Sequence, residues 1–174
     1  MGKNAIDAID VASYILSKTG KLTTMKLQKL VYYSQAWSLV WDGKPLFEED
    51  FQAWANGPVC PSLFKKHKGK FVIDKTELKS DATFTDVEKE TIDAVLEYYG
   101  EKDAYWLSEL THAEAPWKIA RGNCPPGQLC NSVTKITQNV RLVSILTRKG
   151  FCGFTAFETL GFKKHPLKFI KKRF

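Results

Sequence analysis

The spacing of apolar residues along the chain predicts a fold built mainly from helices. In the first helix the apolar residues lie on one face, between Asn4 as the predicted N-cap and a stop at residues 18–20. A second helix is predicted to begin at Thr23 or Thr24, and its residues 30–41 are apolar or aromatic around almost the whole circumference. We expect this second helix to lie in the middle of the fold.

The next segment carries short strand and turn patterns. Residues 51–54 (FQAW) are consistent with an edge strand or an extended arm. The Gly-Pro pair at residues 57–58 and Pro61 predict a rigid corner, after which Ser62 is expected to cap a short basic helix. Residues 72–73 (VI) indicate one more short strand.

Three further helices are predicted after this segment. Thr85 and Glu88 have the spacing of a capping box and precede apolar residues at helical spacing. Asp103 can cap a second of these helices, and Pro116 fits the first turn of a third. Residues 133–146 predict a last helix, or a strand followed by a helix, because β-branched residues are frequent there. We therefore expect a mainly α fold (α+β), a compact helical domain with a small antiparallel sheet or hairpin.

Composition and length are those of one ordinary globular domain. The chain has 174 residues, of which 44% are hydrophobic and 26% are charged. The apolar residues 30–41 fall well short of the ~20 that a membrane-spanning helix needs, so no membrane span is expected. The N-terminus lacks a signal-peptide pattern, and the four cysteines are scattered without a CxxC pair. We therefore expect a cytoplasmic protein with free thiols.

The net charge of +7 is concentrated at the C-terminal end. Residues 148–174 hold eight Lys and Arg against the single acid Glu158, which leaves residues 1–147 neutral as a whole. We predict a body of residues 1–147 and a basic, Phe-rich extension of residues 148–174. The extension either docks its phenylalanines on the body or contacts nucleic acid, an acidic protein or an anionic lipid surface. The candidate contact residues are Lys163, Lys164, Lys168, Lys171, Lys172 and Arg173.

No pattern in the sequence indicates catalytic or metal-binding chemistry. His112 precedes Glu114 by two residues, and such a pair could do acid–base work, but a histidine so placed is more often a structural group. The cysteines do not have the spacing of zinc ligands, even together with His112. Residues 122–127 lack the lysine and hydroxyl residue of a P-loop. We expect a protein that is not an enzyme and has no cofactor and no metal.

The first two predicted helices, with the short turn between them, have the outline of a helix-turn-helix. In that motif the front of the second helix reads base edges, and the readers would be Lys26, Gln28 and Lys29. The rest of this helix is so apolar that it must be buried, and the neutral body attracts phosphate only weakly. A nucleic-acid-binding regulator that uses this helix pair and the basic extension is therefore the alternative function.

Several separated blocks of sequence within residues 5–140 carry a family resemblance. They are residues 25–37 (MKLQKLVYYSQAW), 43–47 (GKPLF), 52–54 (QAW), 57–63 (GPVCPSL), and a later block with LTH at 110–112, APW at 115–117 and AR at 120–121. In this order they resemble the Panacea domain, a family also described as SocA-like antitoxins or phage-associated proteins. The resemblance implies a non-enzymatic antitoxin that neutralises a co-encoded protein toxin by binding it directly, in the setting of phage defence. A second role that it implies is an adaptor that hands the toxin to a protease.

The resemblance also points to candidate partner-binding residues. Four polar residues of the first block match the family motif on an otherwise buried helix, and they either satisfy internal groups or face a pocket: Lys26, Gln28, Lys29 and Gln35. Four residues that follow are placed where a rigid loop could present apolar anchors to a partner: Phe51, Trp54, Pro58 and Pro61. Tyr32, Tyr33 and Trp37 are expected in the core instead.

Overall fold

The structure is a computed structural model that describes residues 5–125. The predicted element at residues 133–146 and the basic extension of residues 148–174 lie outside the described residues. The described part folds into ten elements in this order: α1 Ala8–Thr19, β1 Lys21–Thr23, α2 Thr24–Trp41, β2 Gln52–Trp54, β3 Gly57–Val59, α3 Pro61–His67, β4 Val72–Asp74, α4 Asp86–Tyr99, α5 Ala104–Ala113 and α6 Ala115–Arg121. The expected mainly α fold with a small antiparallel sheet is confirmed.

Helix α2 forms the centre of the core. It begins after Thr23, whose side chain accepts a hydrogen bond from the Lys26 N–H, and it ends at Trp41 as the sequence predicts. Every residue from Leu27 to Leu39 is buried, because α1, α4 and α5 pack around this helix. The expected core positions of Tyr32, Tyr33 and Trp37 are confirmed, since the most exposed of the three is only 4% exposed.

The helix caps follow the sequence with one shift. Helix α1 begins at Ala8 and is capped by Asp7, so the prediction of Asn4 as its cap is wrong. The Asp10 N–H donates to Asp7 Oδ1 at 2.8 Å and the Asp7 N–H donates to Asp10 Oδ2 at 2.9 Å, a reciprocal pair that only a cap at Asp7 can form. The predicted capping box at Thr85, the cap at Asp103 and the proline in the first turn of α6 are confirmed.

The strands form two short antiparallel pairs. β2 pairs with β3 in a hairpin of residues 52–59, with Gln52 opposite Val59 and Trp54 opposite Gly57. The predicted rigid corner at residues 57–58 is therefore a strand, in which a proline is tolerated because each strand of a two-stranded sheet is an edge. β1 pairs with β4, so the predicted turn between α1 and α2 contains a strand.

Two smaller features complete the frame. Helix α3 begins at Pro61 and is preceded by Cys60 as its cap, so the prediction of a cap at Ser62 is wrong by two residues. Proline, which has no main-chain N–H, fits at this position because an N–H in the first turn has no hydrogen-bond partner within the helix. None of the helices in the described part is long and apolar enough to cross a membrane.

Candidate binding site

The hairpin is held by side chains that come from three different helices. Each donor bonds to one main-chain carbonyl of the hairpin: Lys29 Nζ to Pro58 O at 3.0 Å, Ser108 Oγ to Asn56 O at 3.0 Å, Trp117 Nε1 to Trp54 O at 3.1 Å and Arg121 Nη1 to Ala53 O at 3.3 Å. An isolated two-stranded hairpin is marginally stable in water. These four bonds therefore fix the hairpin against α2, α5 and α6.

Gln28 connects α2 to the beginning of α3. The Cys60 N–H donates to Gln28 Oε1 at 2.9 Å, while Gln28 Nε2 donates to Cys60 O at 3.3 Å. The same Nε2 lies 2.9 Å from His67 Nε2, which must then be the unprotonated nitrogen of that ring. Burial lowers the pKa of His67, which is consistent with a neutral ring. The Gln28 amide thus pairs with the Cys60 main chain much as a neighbouring strand would.

A cavity of about 300 Å³ lies between the first turns of α2, the tip of the hairpin and α3. We call it the hairpin cavity. Its apolar side is formed by Met25, Trp54, Val59 and Phe64, and its polar side includes Gln28, Lys29 and His67. The Trp54 and Phe64 rings meet edge to face with centroids 4.8 Å apart. Mostly apolar walls with a few convergent polar groups are typical of a binding site, and this volume is at the lower end of the usual range.

Lys29 is a buried residue that also lines this cavity. Its side chain belongs to a residue only 1% exposed, and its Nζ donates to Pro58 O. No carboxylate of the part of the chain that the structure describes lies within 4 Å of that nitrogen. Burial lowers the pKa of Lys29 to about 7, so near neutral pH the amine is partly charged.

A second buried ionisable group, Glu114, lies where α5 passes into α6. The Tyr33 hydroxyl donates to Glu114 Oε1 at 3.3 Å, and the Tyr33 ring stacks on Tyr99 with centroids 4.4 Å apart. Glu114 Oε2 has no hydrogen-bond partner among the described residues. Burial raises the pKa of Glu114 to about 8. The carboxyl group is therefore mostly protonated at neutral pH.

Glu114→Gln is expected to change how stability depends on pH. The folded carboxyl holds its proton up to about pH 8, whereas the unfolded one releases it near its ordinary pKa of 4.5. The protonated Glu114 carboxyl therefore stabilises the fold fully below pH 4.5, and this stabilisation is lost as the pH rises toward 8. Urea unfolding at about pH 5 and about pH 8 should show the wild type losing on the order of 3 kcal/mol more than the glutamine variant.

The wild type and the glutamine variant share all other titrating groups, so comparing their stabilities isolates the effect of Glu114. The variant keeps an acceptor for the Tyr33 hydroxyl and has nearly the same volume, so the two proteins should have similar stability at the acidic end. Lys29, whose folded pKa is lowered, contributes equally to both proteins and cancels in the comparison. Parallel stability curves across this range would mean that the folded carboxyl group is ionised, contrary to our interpretation.

The structure separates the four polar candidates on α2. Gln28 and Lys29 line the hairpin cavity and also bond to main-chain groups. These two residues therefore both satisfy internal groups and face a pocket, which the sequence left open as alternatives. Lys26 Nζ donates to Gly100 O at 2.6 Å, at the C-terminal end of α4. Gln35 accepts from the Leu46 N–H at 2.7 Å and belongs to the core. Partner binding by any of the four stays a prediction.

The four anchor candidates also divide. Phe51 is 1% exposed and its ring packs on Tyr32 with centroids 5.3 Å apart, and Pro58 is buried in β3. The prediction that these two present exposed anchors is wrong, because both side chains are buried in segments that the sequence suggested to lie at the surface. Trp54 and Pro61 are half-buried, and Trp54 lines the cavity.

Two other hypotheses from the sequence meet contrary geometry. Gln28 and Lys29, proposed as readers of base edges, are only 2% and 1% exposed, so they cannot project into a groove of DNA. His112 lies with its Nδ1 3.5 Å from Glu109 Oε1 and its ring against Trp117, while Glu114 bonds to Tyr33. The two residues therefore do not form the acid–base pair that their spacing suggested.

The cysteines differ from expectation at one position. Cys60 is a buried free thiol whose pKa is raised by burial, so it is a core residue of low reactivity. Cys124 is disulfide-bonded, so the prediction of free thiols is wrong there. Within residues 5–125 no group of three His, Cys, Asp or Glu side chains is placed to hold a metal ion.

Sequence reasoning missed most of the described residues that line the hairpin cavity. Met25, Phe64 and His67 all line it, although none was proposed as a binding residue. The only indication in the sequence is that Phe64 and His67 are three residues apart, which places them on one face of α3. That face could have been assigned to the core just as well.

Comparison with known proteins identifies the class to which this fold and site belong. Residues 27–118, more than half of the chain, match the family model described as Antitoxin SocA-like, Panacea domain. The chain belongs to this family, as the sequence blocks suggested. The matched segment contains the hairpin, α3 and most of α2.

One curated relative extends the likeness over most of the chain. It is Antitoxin SocA from Caulobacter vibrioides (strain NA1000 / CB15N), which is 29% identical over 171 residues. The alignment covers 84% of this chain and 89% of the relative. No solved structure matches the chain significantly.

Proposed function

We propose that this protein is an antitoxin that neutralises a co-encoded protein toxin by binding it directly. The observation that carries the proposal is the likeness to Antitoxin SocA over 84% of the chain, together with membership of the family. Both support an antitoxin-like role with a toxin as the partner. Direct binding is the step that we add.

The architecture of the hairpin supports a role in binding. A surface that captures another protein needs apolar anchors held in place before the partner arrives, because ordering them during binding costs affinity. Four hydrogen bonds from three helices hold the hairpin that carries Trp54. Trp54 is also fixed by its own Nε1, which donates to Gln52 Oε1 at 2.8 Å. The proposal therefore does not require the described residues to rearrange.

A genetic experiment tests the antitoxin role. The gene adjacent to the one for this chain is expressed alone, with the intact chain, and with a version of the chain interrupted by an early stop codon. We expect growth arrest in the first and third cultures and normal growth in the second. The role is lost if the neighbouring gene is harmless alone, or if the intact chain does not restore growth at comparable expression.

The division into a body of residues 1–147 and an extension of residues 148–174 stays a prediction within this proposal. Removal of the extension, with its eight basic residues, shows in the same assay whether the extension or the body binds the toxin. Loss of neutralisation by a truncated chain that still folds would assign the extension to toxin binding. Retained neutralisation would place toxin binding on the body.

A further inference from the structure

We propose that the hairpin cavity is the site that captures the toxin, and that it takes an acidic segment of the toxin that also carries an apolar side chain. This inference rests on the proposed function and adds to it the surface and the chemistry of recognition. The occupant would place its apolar side chain between Trp54 and Met25 and its carboxylate toward Lys29. Three features of the site support this assignment.

The first feature is an apolar wall that continues onto the surface. Met25 and Trp54 are only half-buried in the free protein, so part of this wall is open to solvent. Phe71 is 81% exposed, and its main-chain carbonyl accepts a hydrogen bond from the N–H of the lining residue Thr24 at 3.0 Å. Apolar side chains that line a cavity and stay partly open to solvent are typical of a binding site.

The second feature is the positive charge around the cavity. The lining residues that the structure describes include no Asp or Glu, and the first turn of α2, which borders the cavity, has no acidic residue. Helix α3, which supplies Phe64 and His67, also carries the exposed residues Lys65 and Lys66 in its last turn. This excess of basic over acidic residues around the cavity favours a partner segment with negative charge.

The third feature is Lys29 itself. An ammonium group can donate three hydrogen bonds, and the described part of the chain gives Lys29 Nζ one, to Pro58 O. A carboxylate that enters the cavity would supply a charge-assisted bond to a donor that has already left water. The free-energy cost of removing Lys29 from water falls on folding and not on binding. A bond to Lys29 would therefore contribute more to affinity than a bond to a surface lysine.

A single-stranded nucleic acid is the other occupant that basic and aromatic residues can suggest. Bases bind by stacking on open aromatic faces. Here the Trp54 and Phe64 rings are T-shaped and cover each other, with an interplanar angle of 64°. The cavity is thus better suited to an aliphatic or aromatic side chain than to successive bases.

Two blocked dipeptides that differ only in charge test the chemistry of the cavity. N-acetyl-Phe-Asp-amide and N-acetyl-Phe-Asn-amide are titrated into the full chain, and binding is followed by NMR of the Trp54 indole N–H and the Met25 methyl group. We expect the aspartate peptide to bind about tenfold more tightly, as one charge-assisted hydrogen bond implies. Equal affinities, or shifts confined to other regions, would overturn the proposal.

Lys29→Met should abolish this discrimination, and Lys26→Met is its matched control. Both lysines lie on α2, but Lys26 bonds to Gly100 O and does not line the cavity. We expect the affinity ratio of the two peptides to fall to about one in the first variant and to stay near tenfold in the second. A tenfold ratio that survives Lys29→Met in a folded protein would contradict the assignment.

Met25→Glu keeps the proposal testable if Lys29→Met fails to fold. A glutamate in the first turn of a helix is well tolerated, and here it would place a negative charge at the edge of the cavity. In the growth assay we expect this variant to lose neutralisation while the wild type retains it. If both neutralise equally the cavity proposal fails and the antitoxin role stands, whereas failure of the wild type removes the antitoxin role itself.

A ten-nucleotide thymidine oligomer serves as the competing probe. We expect it not to displace the aspartate dipeptide from the cavity at moderate salt. Displacement that is accompanied by shifts of the Trp54 indole N–H would overturn the protein partner in favour of single-stranded nucleic acid.

Discussion

Gly57→Ala is expected to lower the free energy of unfolding by about 3 kcal/mol. Gly57 begins β3 with φ of +97°, a conformation that residues with a Cβ rarely adopt. An added Cβ would lie 2.6 Å from Thr111 Oγ1 and 2.7 Å from Lys29 Cε. Thr111 is fully buried and its hydroxyl donates to Ser108 O, so it cannot move aside at low cost.

Gly69→Ala separates the two contributions to this effect. Gly69 also has a positive φ, +82°, but an added Cβ there would meet nothing within 4 Å. We expect it to cost only the backbone strain, about 1 kcal/mol. Urea denaturation of both variants gives the difference between them. Equal losses would mean that the side chains around Gly57 yield to an added methyl group, and that the hairpin is held less rigidly than we infer.

Gln28→Leu is expected to destabilise the protein by about 3 kcal/mol. The substitution leaves the Cys60 N–H and His67 Nε2 buried without the partner that they share, and each unsatisfied buried group is costly. Cys60 O keeps a second partner, the Phe64 N–H at 2.9 Å, which limits the loss. Chemical denaturation with far-UV circular dichroism measures the effect.

Gln52→Leu is the matched control for that variant. It makes the same change in a half-buried residue of the hairpin whose Oε1 accepts from Trp54 Nε1. Trp54 is itself half-buried, so its Nε1–H can bond to water when that acceptor is removed. The expected cost is within about 1 kcal/mol. A comparable cost at the two positions would show that the Gln28 amide is not a structural bond between α2 and α3.

The helices could be predicted from the sequence because their determinants are local. Caps such as Thr85 and Asp103 and the spacing of apolar residues fix where α4 and α5 begin, whatever else they touch. The strands are only three residues long, too short for alternation to show, and β1 depends on pairing with β4 some fifty residues later. Such pairing is a property of the tertiary structure.

The candidate site was predictable only in part, for a related reason. Gln28 and Lys29 stand out as polar residues in an apolar helix, and that alone marks them as special positions. Which of the polar residues on α2 faces a cavity depends on where the hairpin and α3 pack, and the sequence does not contain that distance information. The burial of Phe51 was missed because an irregular segment has no periodicity from which to read its inner face.

The two buried ionisable groups would have been hard to anticipate. Lys29 and Glu114 both lie in the interior, with pKa values moved to about 7 and about 8 by burial. Each is held through one neutral partner, Pro58 O or the Tyr33 hydroxyl, and neither pairs with the other in the described ion pairs. Charged residues are expected at the surface by default.

A titration with purified components tests the central claim most directly. The product of the adjacent gene is mixed with increasing amounts of this protein, and its remaining toxic activity is measured after a fixed time and again after a longer one. We expect activity to fall in proportion to the protein added, to reach zero at a fixed molar ratio, and not to change with time. Complete inactivation by a small fraction of an equivalent, progressing with time, would contradict binding as the mechanism.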